Sequence, residues 1–216
     1  MNISAVIMAS GLSRRMTKNK LYLEINKKKI YEYILLTVKQ CSFYEVIVVA
    51  KDEDIIQSAV FMGFKAIRNN RSYLGQSVSI RLALENSSDS NGFIFFVADQ
   101  PFIKVNTILK LCEIFKNNPN KIIIPSLNDS NKNPVIFPSY LKEELMNIEG
   151  DRGGKVVIKN NLENALKVNL ENEDEFFDID TLDDYRKAIE MKTNLWRRKI
   201  QDILLLFYIV KRAILM

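Results

Sequence analysis

Two stretches limit what this 216-residue chain can fold into more than any others: Glu45 to Ala50 (EVIVVA) and Phe93 to Val97 (FIFFV). A half-buried strand alternates apolar and polar residues, so a β-branched and aromatic run with almost no polar position has to be covered on both faces, as parallel strands are. The run Ala5 to Met8 has the same character, and the covering layers are legible beside it. Ile30, Ile34, Leu35 and Val38 recur at helical spacing, and Asp52 to Met62 reads as a helix stopped by Gly63. The sequence therefore predicts an α/β fold. With 47% apolar residues, the length suits one large domain, taken as residues 1–192, followed by an amphipathic helical tail over 193–216.

The alternation continues with a short strand at Phe64 to Ile67. A polar loop from Asn69 to Ser79 leads to a helix carried by Ile80 to Leu84. It breaks after the helix from Val105 to Phe115. Lys121 to Pro125 and Asn133 to Pro138 read as strands joined by a polar loop with no helix between them, which predicts a hairpin or an antiparallel edge on a mostly parallel sheet. Ser139 to Ile148 is helical and Glu149 to Lys155 turns into a short helix. Ala165 to Asn169 and Phe176 to Asp180 read as strands, and Thr181 N-caps a helix to about Met191.

The chemistry concentrates at strand ends. After Ala5 to Met8 come the small residues Ala9, Ser10 and Gly11, which let backbone N–H groups approach an anion, and then the cations Arg14, Arg15, Lys18 and Lys20. A phosphate-binding loop and a solvated basic turn both fit this stretch. Asp99, at the end of the FIFFV strand and freed by Pro101, sits where open α/β sheets bind ligands. It either caps the next helix or holds a metal ion against nucleotide phosphates. Asp178 and Asp180, alternating with Ile179, share one face of an extended segment and could add a second carboxylate.

The exclusions are as informative. With no histidine in the chain, there is no Ser-His-Asp or Cys-His arrangement, no His-ligated zinc and no imidazole base. That leaves carboxylates, Lys, Arg, backbone amides and a hard cation, a toolkit suited to phosphoryl or nucleotidyl transfer. Neither G-x-x-x-x-G-K-S/T nor G-x-G-x-x-G is present. A net charge of +5 without a long basic run favours a local anionic ligand and no nucleic acid. Cys41 and Cys112 form no C-x-x-C, and Met1 is followed at once by the first strand, so the cytoplasm is the expected compartment. The tail's apolar run, Ile203 to Val210, is too short to span a bilayer, and its expected role is packing or self-association, with the alternative of lying on a membrane surface, Arg197, Arg198, Lys199, Lys211 and Arg212 outward.

The stretch AVIMASGLSRRMTKNK resembles the nucleotidyltransferase signature L-A-A-G-x-S-x-R-M-G-x-x-K. With GQSVSIRLAL, VADQP, NPVIFP, ELMNIEGDRGGK and DIDTLDDY following in order, residues 3 to 190 are similar to the molybdenum cofactor cytidylyltransferases of the MobA-like NTP transferase family. The resemblance implies a Rossmann-like three-layer α/β sandwich with a mixed sheet, related to GT-A glycosyltransferases and nucleotide-diphospho-sugar transferases. It also implies a reaction in which CTP and the phosphate of molybdenum-loaded molybdopterin give molybdopterin cytosine dinucleotide and pyrophosphate.

Carried over by motif, Ala9, Ser10, Gly11 and Ser13 would cradle the nucleotide, and Arg15 and Lys20 would hold the triphosphate. Asp99 would ligate Mg²⁺ or Mn²⁺, with Asp178 or Asp180 as the second ligand. Ser77 and Ser79, in the loop before a helix, would lie near the base or ribose. Gln100, Asn133, Pro134, Gly150, Asp151 and Gly153 would shape the acceptor side. The product would pass to a molybdenum hydroxylase. The sequence departs from the signature at Ser10, at Thr17 and in LEINKKKI, which stands where relatives have L-P-x-G-x-K-P-L. Ser10 bears on base choice, since guanylyl-transferring relatives carry Gly-Gly there and cytidylyl-transferring ones Ala-Ala. Transfer to another phosphorylated acceptor (a sugar phosphate, methylerythritol phosphate or phospholactate), guanylyl transfer to the same cofactor, and a non-catalytic cofactor chaperone are the alternatives.

Overall fold

Each of the unbroken apolar runs is a strand with both faces covered. The computed structural model describes residues 1–12, 15–16 and 19–193. Strand β1 (Ile3–Ala9) is followed by the hairpin β2 (Glu24–Ile25) and β3 (Lys28–Lys29), then α1 (Ile30–Lys39), β4 (Glu45–Ala50), α2 (Glu53–Phe61) and β5 (Lys65–Arg68). Next come α3 (Gln76–Glu85), β6 (Gly92–Val97), α4 (Val105–Asn117), β7 (Ile122–Leu127), β8 (Ser130–Asn131) and β9 (Val135–Pro138). The chain continues through α5 (Lys142–Met146), α6 (Lys155–Asn160) and β10 (Ala165–Asn169) to α7 over residues 182–193. Ser13, Arg14, Thr17, Lys18 and the tail beyond residue 193 lie outside the described residues.

The main sheet runs β10-β7-β9-β6-β1-β4-β5, with β8 folded back on β7. Strand β1 is parallel to both β4 and β6, β4 to β5, and β7 to β10. The side chains of β1 alternate between two cores. Ile3, Ala5, Ile7 and Ala9 pack with residues such as Ile34 of α1, Ile55 of α2, Leu111 of α4 and Ala188 of α7. Val6 packs with Ile80 of α3, Leu145 of α5 and Val157 of α6. Likewise β6 sends Ile94 and Phe96 to the first core and Phe93 and Phe95 to the second. The result is the expected three-layer sandwich on a mixed, mostly parallel sheet.

Three elements differ from the sequence expectation. The antiparallel strand is internal: β9 lies between β6 and β7 and pairs antiparallel with each, while the local hairpin is the short β7–β8 pair. Helix α3 begins at Gln76, so Ser77 and Ser79 are on the helix and not in a loop before it. The early start follows from a cap supplied at long range, because the Gln76 N–H donates to Asp151 Oδ1 at 3.3 Å and so satisfies one of the orphan donors of a helix start. Phe176 to Asp180 forms no strand. The buried carboxylate of Glu175 accepts from Thr107 Oγ1 at 2.5 Å and from the Lys104 N–H at 3.3 Å, which fastens the segment to the start of α4. Its apolar residues are satisfied by packing, since Phe176 and Ile179 are buried, and Ile179 N–H donates to Asp99 O at 3.1 Å.

The topology sets the position of a site. From β1 the chain moves outward to β4 and β5, then returns to the other side of β1 as β6. The carboxyl ends of β1 and β6 thus flank a topological switch point, the crevice at which open α/β sheets bind ligands. Phe115 of α4 is fully buried beneath this sheet, and its ring fills the space where a Cβ on Gly92 would fall. Phe115→Ala is expected to cost about 3–5 kcal/mol in urea unfolding, from lost burial plus the cavity left behind. A loss below about 1 kcal/mol would contradict this packing.

Candidate active site

Three chain segments meet at the switch point through one ammonium group. Asn19 caps the short turn Lys20–Tyr22, accepting from Leu21 N–H at 3.1 Å, and donates to Asp52 Oδ2 at 3.0 Å. This fixes the backbone at Lys20, whose side chain points into the crevice. Lys20 Nζ lies 2.6 Å from Asp99 Oδ2 and 2.8 Å from Asp180 Oδ1, and Arg15 takes the other Asp180 oxygen at 2.7 Å. Burial alone would lower the Lys20 pKa, yet the Asp99 charge and the bonds to both aspartates hold it above the ordinary lysine value. Burial alone would raise Asp180, but the hydrogen bond and charge of Lys20, helped by Arg15, hold it below the usual carboxylate value. Asp99 does not cap α4, whose N-cap Lys104 has no side-chain cap.

Among the described residues, the second oxygen of Asp99, Oδ1, is buried without a hydrogen-bond partner. Leaving such an acceptor unsatisfied costs on the order of 1–3 kcal/mol. A hard oxygen of this kind, beside a cavity, fits a divalent cation. The three expected metal aspartates are neighbours but do not converge on one point. Lys20 stands between Asp99 and Asp180, and among the described residues no three His, Cys, Asp or Glu side chains gather around a common position.

Two adjoining cavities flank this knot of charge. The first, about 490 Å³, is lined by Ser10, Gly11, Arg15, Lys20, Asp99 and Asp180, with Ser79 of α3 on its far side. Ser10 Oγ donates to Val49 O at 3.0 Å, and Ser79 Oγ accepts from Asn69 Nδ2 at 3.0 Å, so both hydroxyls are held in fixed orientations. Ala9 and Ser77 are buried and line neither cavity; the Ser77 backbone N–H instead donates to Gly150 O at 3.2 Å. Ser13 lies outside the described residues.

The second cavity, about 320 Å³, is lined by Gln100, Asn133, Asp151, Gly153 and Asp178 of the expected acceptor set, over a floor that includes Phe95 and Phe137. Pro134 and Gly150 do not line it. Gly150 instead holds the loop against the start of α3: a Cβ on Gly75, whose φ is +106°, would fall 2.4 Å from the Gly150 carbonyl. Met8, Gln76 and Asp151 line both cavities and form their shared wall.

Met8, Gln76, Lys132 and Lys155 escaped the sequence reading as site residues. Met8 ends an apolar run that reads as core. Gln76 stands in the GQSVSIRLAL motif and Lys155 closes EGDRGGK, so motif context could have found them. Lys132, directly before the NPVIFP strand, carried no signal beyond its charge.

Three comparisons bear on this geometry. The model of the MobA-like NTP transferase domain matches residues 5–166. A probable molybdenum cofactor guanylyltransferase of Natranaerobius thermophilus is 30% identical over 129 residues, 59% of this chain and 62% of that protein, so the chain spans less than two thirds of that relative. The purine catabolism protein PucB of Bacillus subtilis is 26% identical over 193 residues, 83% of this chain and 92% of that one. Among solved structures, a manganese complex of the Rv0371c protein of Mycobacterium tuberculosis superposes with a TM-score of 0.73 at 21% identity, covering 88% of this chain and 99% of that one. At that identity the likeness establishes the fold.

Asp178 supplies a test of the site's electrostatics. Enclosure by protein, then the charge of Asp99, push its carboxyl up to about 6 from 3.8, with Asp180 adding to the rise and Gln100 and Lys20 opposing it. A carboxyl raised in the folded state favours the fold while protonated, so its contribution becomes unfavourable as pH climbs from about 4 to about 6. The melting temperature of Asp178→Asn relative to wild type should therefore rise between pH 4 and 7 and level off above. A difference that does not change with pH would contradict the assignment.

Proposed function

The chain belongs to the MobA-like NTP transferase family, and from that premise we propose that it transfers CMP from CTP to the phosphate of molybdenum-loaded molybdopterin, releasing pyrophosphate. The observation that carries this reading is that the two cavities adjoin across Met8, Gln76 and Asp151, with Asp99 and Lys20 on the wall of the first. One cavity holds oriented hydroxyls and two cations, the other an apolar floor with amide and carboxylate groups. A nucleotide and an acceptor placed side by side there would meet at their phosphates.

In this reading Ser10, Gly11 and Ser79 receive the nucleoside, and Arg15 and Lys20 turn from Asp180 and Asp99 to the triphosphate. Gln100, Asn133, Asp151 and Gly153 hold the acceptor. Its phosphate oxygen attacks the α-phosphorus in line, the new P–O bond forms as the bond to the β-phosphate oxygen breaks, and pyrophosphate leaves. The nucleophile is already an anion, so no general base is required, which accords with a chain lacking histidine. Orientation and charge neutralisation carry the rate. A divalent cation, Mg²⁺ or Mn²⁺, held by Asp99 with Asp178 or Asp180, would supply charge neutralisation on the phosphates; the unpartnered Asp99 Oδ1 and the manganese complex of the mycobacterial structural relative support that role.

A second reading is GMP transfer from GTP to the same acceptor, favoured by the name of the Natranaerobius relative. Against it stands the Ala9-Ser10 pair, which lacks the Gly-Gly of guanylyl-transferring relatives. A pyrophosphate-release assay with CTP, GTP and ATP, each with and without molybdenum-loaded molybdopterin, separates the readings. Release is expected with CTP only when the acceptor is present. Asp99→Asn and Arg15→Ala should each lower kcat by about 10²-fold or more, the scale at which removing a charge-stabilising group acts, with the fold intact by circular dichroism. No release with any nucleotide, or full activity in both variants, would overturn the proposal.

A further inference from the structure

The cations of the two cavities are in opposite situations. In the first cavity Lys20 and Arg15 are both paired with aspartates. In the second, Lys132 and Lys155 line the wall, and neither ammonium has a hydrogen-bond or ion-pair partner among the described residues. Neither lysine reaches the first cavity. The carboxylates of the second cavity lie toward the junction. Asp151 lines both cavities and accepts from the start of α3, and Asp178 is close enough to Asp99 and Asp180 to sense their charges. The second cavity therefore shares the Asp151 carboxylate with the first, whereas the two ammonium groups belong to the second cavity alone. The same cavity has an apolar floor, where Phe95 and Phe137 meet edge to face with centroids 5.8 Å apart.

Lys132 is placed there by the fold. The tight turn at Asn128 and Asp129, both with positive φ, reverses the chain into β8, and the Lys132 N–H then donates to Pro125 O at 2.8 Å, which delivers the side chain over the cavity. Lys155 is the first residue of α6, on the opposite side of the NPVIFP strand in sequence. Lys132 is half-buried and Lys155 exposed, and a half-buried ammonium beside an apolar wall attracts an anion more strongly than one in open water, because the local dielectric is lower.

We propose that Lys132 and Lys155 bind a second anionic group of the acceptor, distal to its reacting phosphate, so that the acceptor is a molecule with a flat apolar body and an anion at each end. This rests on the acceptor reading of the second cavity. On that reading the reacting phosphate lies where the second cavity meets the first, at Gln76 and Asp151, and the far anion is an oxo-metal or thiolate group of the cofactor. The lysines then set which acceptor is taken, and they leave nucleotide affinity alone.

The test is steady-state kinetics on the full chain with CTP and molybdenum-loaded molybdopterin, comparing wild type with Lys132→Gln, Lys155→Gln, the double variant and the Lys→Arg pair. The double variant should raise the acceptor KM at least tenfold, keep the CTP KM within about twofold and flatten the salt dependence of kcat/KM. The Arg pair should stay close to wild type. An acceptor KM within twofold of wild type in the double variant overturns the inference. If the wild type turns over no acceptor, the acceptor reading itself falls, and calorimetry with inorganic molybdate decides the lysines. Binding by wild type that weakens at least tenfold in the double variant supports an anion site; binding that is absent from wild type or equal in both overturns it.

Discussion

The bridge from Lys20 Nζ to Asp99 and Asp180, at 2.6 and 2.8 Å, is the contact on which the site depends. It joins the loop after β1, the turn after β6 and the segment before α7, three pieces of chain with no ladder among them. Two carboxylates facing each other in a partly buried crevice would repel, and one would tend to take a proton. With Lys20 between them and Arg15 beyond, the crevice instead holds balanced charge. The same charges suit the proposed reaction. Cations that neutralise aspartates can neutralise phosphates, and aspartates relieved of a lysine can take a metal ion. The exchange needs movement of flexible side chains and leaves the backbone frame in place.

The rest of the molecule builds that frame. Unbroken apolar strands force helices onto both faces of the sheet, and the return of the chain from β5 to β6 opens the crevice at the end of β1. Glu175, buried and bound to the start of α4, brings Asp178 and Asp180 alongside Asp99. Asp151, reaching the first N–H of α3, draws the loop at Gly150 against the same crevice and so places the second cavity next to the first. Each of these links is a polar group satisfied across a long sequence separation.

What was legible in the sequence divides along the same line. EVIVVA and FIFFV announced a two-sided sheet because a strand's burial is written in its own residues. Asp99 was legible because an acidic residue directly after the strongest apolar run stands out. The start of α3 was not legible, since its cap is 75 residues away, and a local window sees only a polar stretch. Phe176 to Asp180 has the alternation of a strand, but alternation records burial and not hydrogen bonding, and here the burial comes from packing. The internal place of β9 was hidden for a similar reason: local sequence reports that a strand exists, and the order of strands is set by which cores they share. Lys20, Asp99 and Asp180 could each be singled out from motifs, whereas the pairing of Lys20 with the two aspartates could not.

The central claim is that the charges now paired at the switch point form the seat of a metal-bound triphosphate. Diffraction from the full chain co-crystallised with Mn²⁺ and a non-hydrolysable CTP analogue, using the anomalous signal of manganese, tests it most directly. The account predicts manganese bound to an Asp99 oxygen, the triphosphate in the cavity beside Ser10 and Gly11, and Lys20 Nζ within hydrogen-bond distance of a phosphate oxygen. A triphosphate seated outside that cavity, or manganese bound with no oxygen from Asp99, would contradict it.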